Sequence, residues 1–285
     1  FSPYRLYTDY NEMLDSETFD FVDITLPTYL HKPATVAALD KGVNVLCEKP
    51  MALSGAECDD MIEAQRRSGK RLMIGQCLRF WPAYEFLKSC VEDGRYGSVR
   101  SAFLFRGSTT PIWSHDNWML DEARSGGSML DLHVHDADIV RWAFGHPKAV
   151  STVGKNVVPG AGYDILSSNY MFDDGKVVNV QCDWTLPVSF GFEMSYRVNF
   201  DEASVSFNSA GVVVNPKDGA SFSPELSADT GYYREIRYFA QCLLDGTPPV
   251  AASAESVADT IRLVEAERES ADGGGRWVAT AARSG

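Results

Sequence analysis

Phe21-Val22-Asp23-Ile24-Thr25-Leu26-Pro27, followed by Val43-Asn44-Val45-Leu46-Cys47-Glu48-Lys49-Pro50, decides how this chain is read. Each is a short run of β-branched and aliphatic residues brought to a stop at a proline, which cannot donate to a sheet ladder. Between them, residues 31–41 carry Ala and Leu at helical spacing and stop at Gly42. After the second run, Ser54 can cap a helix that reaches Gly69, and Arg71-Leu72-Met73-Ile74-Gly75 forms a third run. Strand, helix, strand, helix, strand is the order of a parallel sheet with right-handed crossovers. Residues 1–76 are therefore expected to form a parallel α/β unit.

Beyond Gly75 the alternation is lost. Residues 82–93 read as a helix, 99–107 as a strand, 111–118 as a Trp-bearing loop and 128–144 as a helix. From Val150 to Val214 strand-like runs follow one another, with turns at Asp173-Asp174-Gly175 and Asp201-Glu202. Helices are expected over 233–244 and 255–271, and a loop over 272–275. Residues 77–285 thus read as an α+β domain built on one large, open, mostly antiparallel sheet. The fold class expected for the whole chain is α/β.

Composition narrows the function. The 285 residues include 26 Lys plus Arg against 39 Asp plus Glu, a formal charge of -13. Such a chain repels phosphate backbones and anionic lipid surfaces, so neither nucleic acid nor a membrane is an expected partner. No apolar run is long enough to span a bilayer, and no basic start leads into an apolar signal segment. Six scattered cysteines without a C-x-x-C pair fit reduced thiols in a cytoplasmic protein better than a disulfide framework.

Two places carry residues suited to catalysis. Lys49 follows the second strand, and ligands of parallel sheets sit beyond the carboxyl ends of strands. Held there by Pro50, its ammonium can steady a developing alkoxide, although a solvated lysine in a turn is the plain structural alternative. The second place is Ser125-Gly126-Gly127-Ser128-Met129-Leu130-Asp131-Leu132-His133-Val134-His135-Asp136-Ala137-Asp138. On a regular helix Asp131, His135 and Asp138 share one face, while His133 and Asp136 point elsewhere. Histidine can take a proton near neutral pH, and a carboxylate one turn away can orient it; a buried, hydrogen-bonded histidine is the alternative. Two histidines two residues apart diverge on a helix, and no H-E-x-x-H motif exists, so a metal site is not expected. His31 stands near the mouth of the first strand. Arg79 can reach substrate or join a salt bridge. Trp113 and Trp118 can stack on a sugar face, and Tyr163 and Trp184 can wall a pocket.

Thr25-Leu26-Pro27 with His31, then Glu48-Lys49-Pro50, then Gly126-Gly127 with Asp131, His135 and Asp138, resemble the glucose-fructose oxidoreductase / inositol dehydrogenase (Gfo/Idh/MocA) family. The resemblance runs from about residue 19 to residue 145. It implies a Rossmann domain joined to a domain with a large open sheet, and hydride transfer between NAD or NADP and a carbohydrate carbon. Lys49 resembles the family's catalytic lysine, and Asp131 and His135 its paired aspartate and histidine. Thr25, Pro27, His31, Glu48 and Lys49 are then expected on the cofactor side, with Arg79, Trp113, Trp118 and Asp131 toward substrate. Inositol-type members carry glycine where this chain has His133, so the resemblance points to a sugar or polyol more broadly.

The family opens with a strand, a G-x-G-x-x-G turn and a helix. No such motif occurs here; Gly160-x-Gly162 lacks the third glycine. The expectation is that the phosphate-binding segment has been omitted from this sequence, and that the chain as written holds a dinucleotide poorly. Two rival readings stay open: an NAD-dependent glycoside hydrolase, and a non-catalytic sugar or dinucleotide sensor. Strands between 150 and 214 are expected to leave one sheet face uncovered, suiting a homodimer or homotetramer.

Overall fold

The computed structural model describes residues 4–280. Helix α1 (Tyr10–Ser16) comes first, its N-terminus capped by Asp9, which accepts a hydrogen bond from Asn11 N at 2.8 Å. Strands β1 (Phe21–Ile24), β2 (Asn44–Glu48) and β3 (Leu72–Gly75) form a parallel sheet in that order. Helices α2 (His31–Asp40) and α3 (Gly55–Ser68) supply the crossovers. Ser54 caps α3 by accepting from Glu57 N at 3.2 Å, and Gly69 closes it in the left-handed conformation.

Alternation along these strands sends side chains to two cores. Ile24, Val45, Cys47, Leu72 and Ile74 join the main core with Ala34 and Ala38 of α2. Leu46 and Met73 face the other way, against Phe80, Phe239 and Ala252. Phe239 belongs to α7 (Gly231–Asp245), and its ring meets Phe21 edge-on at 5.4 Å. Helix α7, read from sequence as part of the second unit, therefore roofs the first sheet.

The second sheet has eight strands: β4 (Val99–Gly107), β5 (Ala149–Lys155), β6 (Ile165–Met171), β7 (Val177–Asp183), β8 (Glu193–Phe200), β9 (Ala203–Asn208), β10 (Gly211–Pro216) and β11 (Val278–Ala279). Their order is β10-β9-β8-β4-β7-β6-β5-β11. Only β4 and β7 pair in parallel; every other neighbour is antiparallel. One face is covered by α4 (Pro82–Asp93), α6 (Val134–Phe144) and α8 (Ala254–Asp272). Tyr84 of α4 packs edge-on against Tyr196 and Phe207. The opposite face leaves Val153, Met171 and Val177 exposed. Among the described residues no helix is long and apolar enough to cross a membrane. The six cysteines are buried and free.

Helix α8 ties the two sheets together. Its Glu265 accepts from Gly55 N at 2.9 Å, and Arg262 meets Asp59 at 2.6 Å. Deeper down, Glu267 accepts from Tyr170 and lies 2.9 Å from His133 Nε2, all three fully or nearly fully buried. Burial opposes the charged imidazole, but the adjacent Glu267 carboxylate outweighs it and raises the His133 pKa above its ordinary value. A histidine raised on folding adds stability in full below its unfolded pKa of about 6.5, and that stability is lost as pH rises through the folded value. The Tm advantage of the protein over His133→Gln should therefore be largest at about pH 6 and shrink toward about pH 9. An advantage independent of pH in thermal melts would show that His133 is never charged.

Candidate active site

The chain enters the site through a tight turn. Short helix α5 (Glu122–Ser125) ends at Gly126 (φ 78°), and Gly127 follows at φ 66°. A Cβ on Gly127 would lie 2.3 Å from the carbonyl oxygen of Ala161, so only glycine fits this approach. What comes next departs from the expected regular helix. Met129–His133 form a π-helical turn, and α6 continues from Val134. A π turn advances the chain less per residue than an α turn, so an α-helical count of faces fails across it. Asp131 and His135 both line the central cleft, but Asp138 does not.

Asp138 instead receives Arg79 in a bidentate pair, with Nη2 at 2.6 Å and Nε at 2.8 Å, and also accepts from Thr260 at 2.7 Å. The remaining nitrogen of Arg79 reaches Ala251 O and Ser256 Oγ, both at 3.0 Å. Arg79 is only 3% exposed and lies outside the cleft lining. The salt-bridge alternative describes it, and the expected reach to substrate is corrected: every arm of its guanidinium is occupied elsewhere.

The cleft has a volume of about 650 Å³. On its floor, Lys49 Nζ donates to the Asp131 carbonyl at 2.7 Å and to Asp131 Oδ1 at 2.9 Å. An ammonium has three donors, so one remains for a ligand. The peptide between Lys49 and Pro50 is cis. His135 shares the lining and is 8% exposed; its Nδ1 is buried without a partner. Burial first, then the positive charges of Lys49 and Arg106, hold its pKa well below the ordinary value. At neutral pH the ring is uncharged and able to accept a proton.

Trp113 lines the cleft and is 77% exposed. Trp118 and Tyr163 are half-buried and do not line it. Tyr163 donates to Asp272 at 2.8 Å instead. Trp184 forms a buried wall, fixed by Nε1 donating to Asp164 at 2.6 Å. Arg106, Trp81, Phe192, Met194 and Tyr232 complete much of the lining and were not singled out from the sequence. For Arg106 a signal existed. It falls in the inward phase of β4, with Ala102 and Leu104, where an arginine must be paired.

On the cofactor side, Thr25 is exposed at the carboxyl end of β1 and Pro27 is half-buried. His31 is buried behind them, its ring nitrogens 2.8 Å from Pro50 O and 2.7 Å from Leu26 O. It thus joins the two loops that leave β1 and β2 and has no face left for a ligand. Glu48 accepts the Lys49 N–H at 3.1 Å, and burial raises its pKa. Thr25 is thus left exposed just beyond the carboxyl end of β1, the end of a parallel sheet where ligands sit. Among the described residues no group of three or more His, Cys, Asp or Glu is placed to hold a metal ion.

A parallel sheet with a lysine at a strand end, facing an Asp/His pair from a sheet domain, defines the class: a two-domain oxidoreductase fold with a Rossmann-type first unit. The oxidoreductase family model with an NAD-binding Rossmann fold matches residues 3–76, and the GFO/IDH/MocA C-terminal domain matches residues 84–206. The chain belongs to the Gfo/Idh/MocA family. A 2,7-anhydro-N-acetylneuraminate hydratase of Mediterraneibacter gnavus is 31% identical over 175 residues, covering 59% of this chain and 46% of that protein. The match thus spans about half the length of that relative. D-xylose 1-dehydrogenase (NADP(+)) 2 of Haloferax volcanii is 29% identical over 275 residues, covering 94% of this chain and 83% of that one. Among solved structures, an aldose-aldose oxidoreductase from Caulobacter crescentus complexed with glycerol superimposes with a TM-score of 0.85 at 26% identity, covering 95% of this chain and 82% of that chain.

Proposed function

We propose that the protein oxidises a secondary alcohol of a neutral sugar or polyol, with NAD or NADP as hydride acceptor. The observation that carries this reading is one cleft holding a lysine clamped on an aspartate beside a buried, uncharged histidine. His135 takes the hydroxyl proton at Nε2, because its Nδ1 is buried. Lys49 turns its third N–H toward the same oxygen and stabilises the negative charge that develops there. Asp131 holds Lys49 in place and offers its carboxylate to a neighbouring hydroxyl. A bound nicotinamide supplies the hydride acceptor. Thr25, Pro27 and Lys49 would hold its end of the cofactor, with His31 and Glu48 bracing their loops.

Charge supports a neutral substrate. Lys49 is balanced by Asp131, Arg106 by Asp136, and His135 is uncharged, so the cleft offers no net charge to a carboxylate. Its aromatic walls suit the C–H faces of a sugar ring. The hydratase relative favours a second reading, in which the net reaction is not redox.

Product balance separates the two. Neutral aldoses and polyols are incubated with NAD+ or NADP+, and nucleotide and sugar are both measured. One NADH or NADPH per sugar oxidised is expected. Conversion of a sugar or glycoside with no net reduced nucleotide would favour the second reading, and no conversion at all would leave only a binding role.

A further inference from the structure

We propose that Arg106 is a specificity-determining residue that donates a hydrogen bond from Nη1 to a hydroxyl of the substrate. This rests on the sugar or polyol reading above. A guanidinium carries five N–H donors, and their partners can be counted. Nε donates to Asp136 at 2.7 Å, and Nη2 donates to Asp136 at 3.2 Å and to Tyr84 Oη at 3.5 Å. Those three donors point back into the core. Nη1 has two N–H bonds and one partner, the thioether sulfur of Met194 at 3.7 Å. Sulfur is a weak acceptor, and at least one N–H is left with none.

Arg106 lines the cleft, and so does Met194, the one partner of Nη1. Arg106 is 3% exposed, and its lining neighbours are Met194 and Phe192, whose ring lies 5.9 Å from the guanidinium carbon. A buried donor without an acceptor is costly, and a ligand oxygen removes that cost on binding. Asp136 neutralises the arginine, so a hydroxyl is the favoured acceptor rather than a carboxylate. The anchor and the base are consecutive residues, Asp136 and His135, so the donor is fixed relative to the reacting oxygen. A site that hydrogen-bonds a substrate hydroxyl rejects the analogue lacking it, because its own polar group is then left unpaired.

The test is a fluorescence titration, read through Trp81, Trp113 and Trp184 in the cleft. The probes are D-xylose, D-glucose and their monodeoxy derivatives. One deoxy position should bind the unaltered protein at least about 10-fold more weakly than its parent sugar. That gap should close to within about 2-fold in Arg106→Lys and in Met194→Gln. The second variant leaves the Asp136 pair intact and gives Nη1 an amide oxygen of its own, so it decides the matter if the first does not fold. A gap that persists in the folded variants overturns the proposal, as does equal binding, or none, across all the sugars. The titration reads binding alone. Discrimination without any reduced nucleotide would sink the oxidoreductase reading and keep the Arg106 contact, whereas turnover with an unchanged gap would do the reverse.

Discussion

His135→Ala should lower kcat/KM for sugar oxidation by about 10²–10⁴-fold while leaving the fold intact. The size follows from the loss of a positioned base, and the survival of the fold from the missing partner at Nδ1, since no hydrogen bond is broken. The pH profile gives the sharper signature. Burial, Lys49 and Arg106 hold the His135 pKa well below its ordinary value, so the base stays competent into acid. Below its own pKa the ring is protonated and cannot accept. The acid limb of kcat/KM should therefore fall clearly below about pH 6.5 and be absent from the alanine variant. A limb that survives the substitution would assign the base to another group.

Arg79→Met should destabilise the protein by about 3–5 kcal/mol, seen as a lower urea midpoint. The reason is what remains behind. Asp138 is 1% exposed at its side chain and would keep one hydrogen bond, from Thr260, with the charge of Arg141 nearby but not bonded to it. A buried charge without its counter-ion costs more than the pair itself contributes. Removing both partners, as in Arg79→Met with Asp138→Leu, should recover most of the loss. A raised KM with an unchanged urea midpoint would return Arg79 to the substrate side.

These two variants mark what could be read from the sequence and what could not. The parallel sheet was legible because its strands are short apolar runs ended by proline or glycine, a local signal. So were Lys49, by its place after a strand, and the Asp131/His135 pair, by spacing and family pattern. Asp138 was misjudged because its carboxylate is taken by Arg79 from a distant segment, and nothing in local composition marks that partner. Arg79 could be placed only once its partner was known, and Asp138 lies far along the chain. Trp118 and Tyr163 failed for a related reason, since aromatic type does not say which way a loop residue turns. The roof of α7 over the first sheet is a contact between distant segments, and its apolar face fits many partners equally well.

The buried pairs on α6 have a consequence for how the helix is seated. Apolar packing alone is non-directional and permits a helix to roll about its long axis. Asp136 and Asp138 are gripped by guanidinium forks that come from two different segments, β4 and the turn after β3. A bidentate fork has a direction as well as a strength. Two such forks, on either side of Ala137, leave the helix a single azimuth, and His135 inherits it. The aim of the imidazole is thus set by two ion pairs on its own helix, one anchored by Arg106 at the cleft and one by Arg79 outside it.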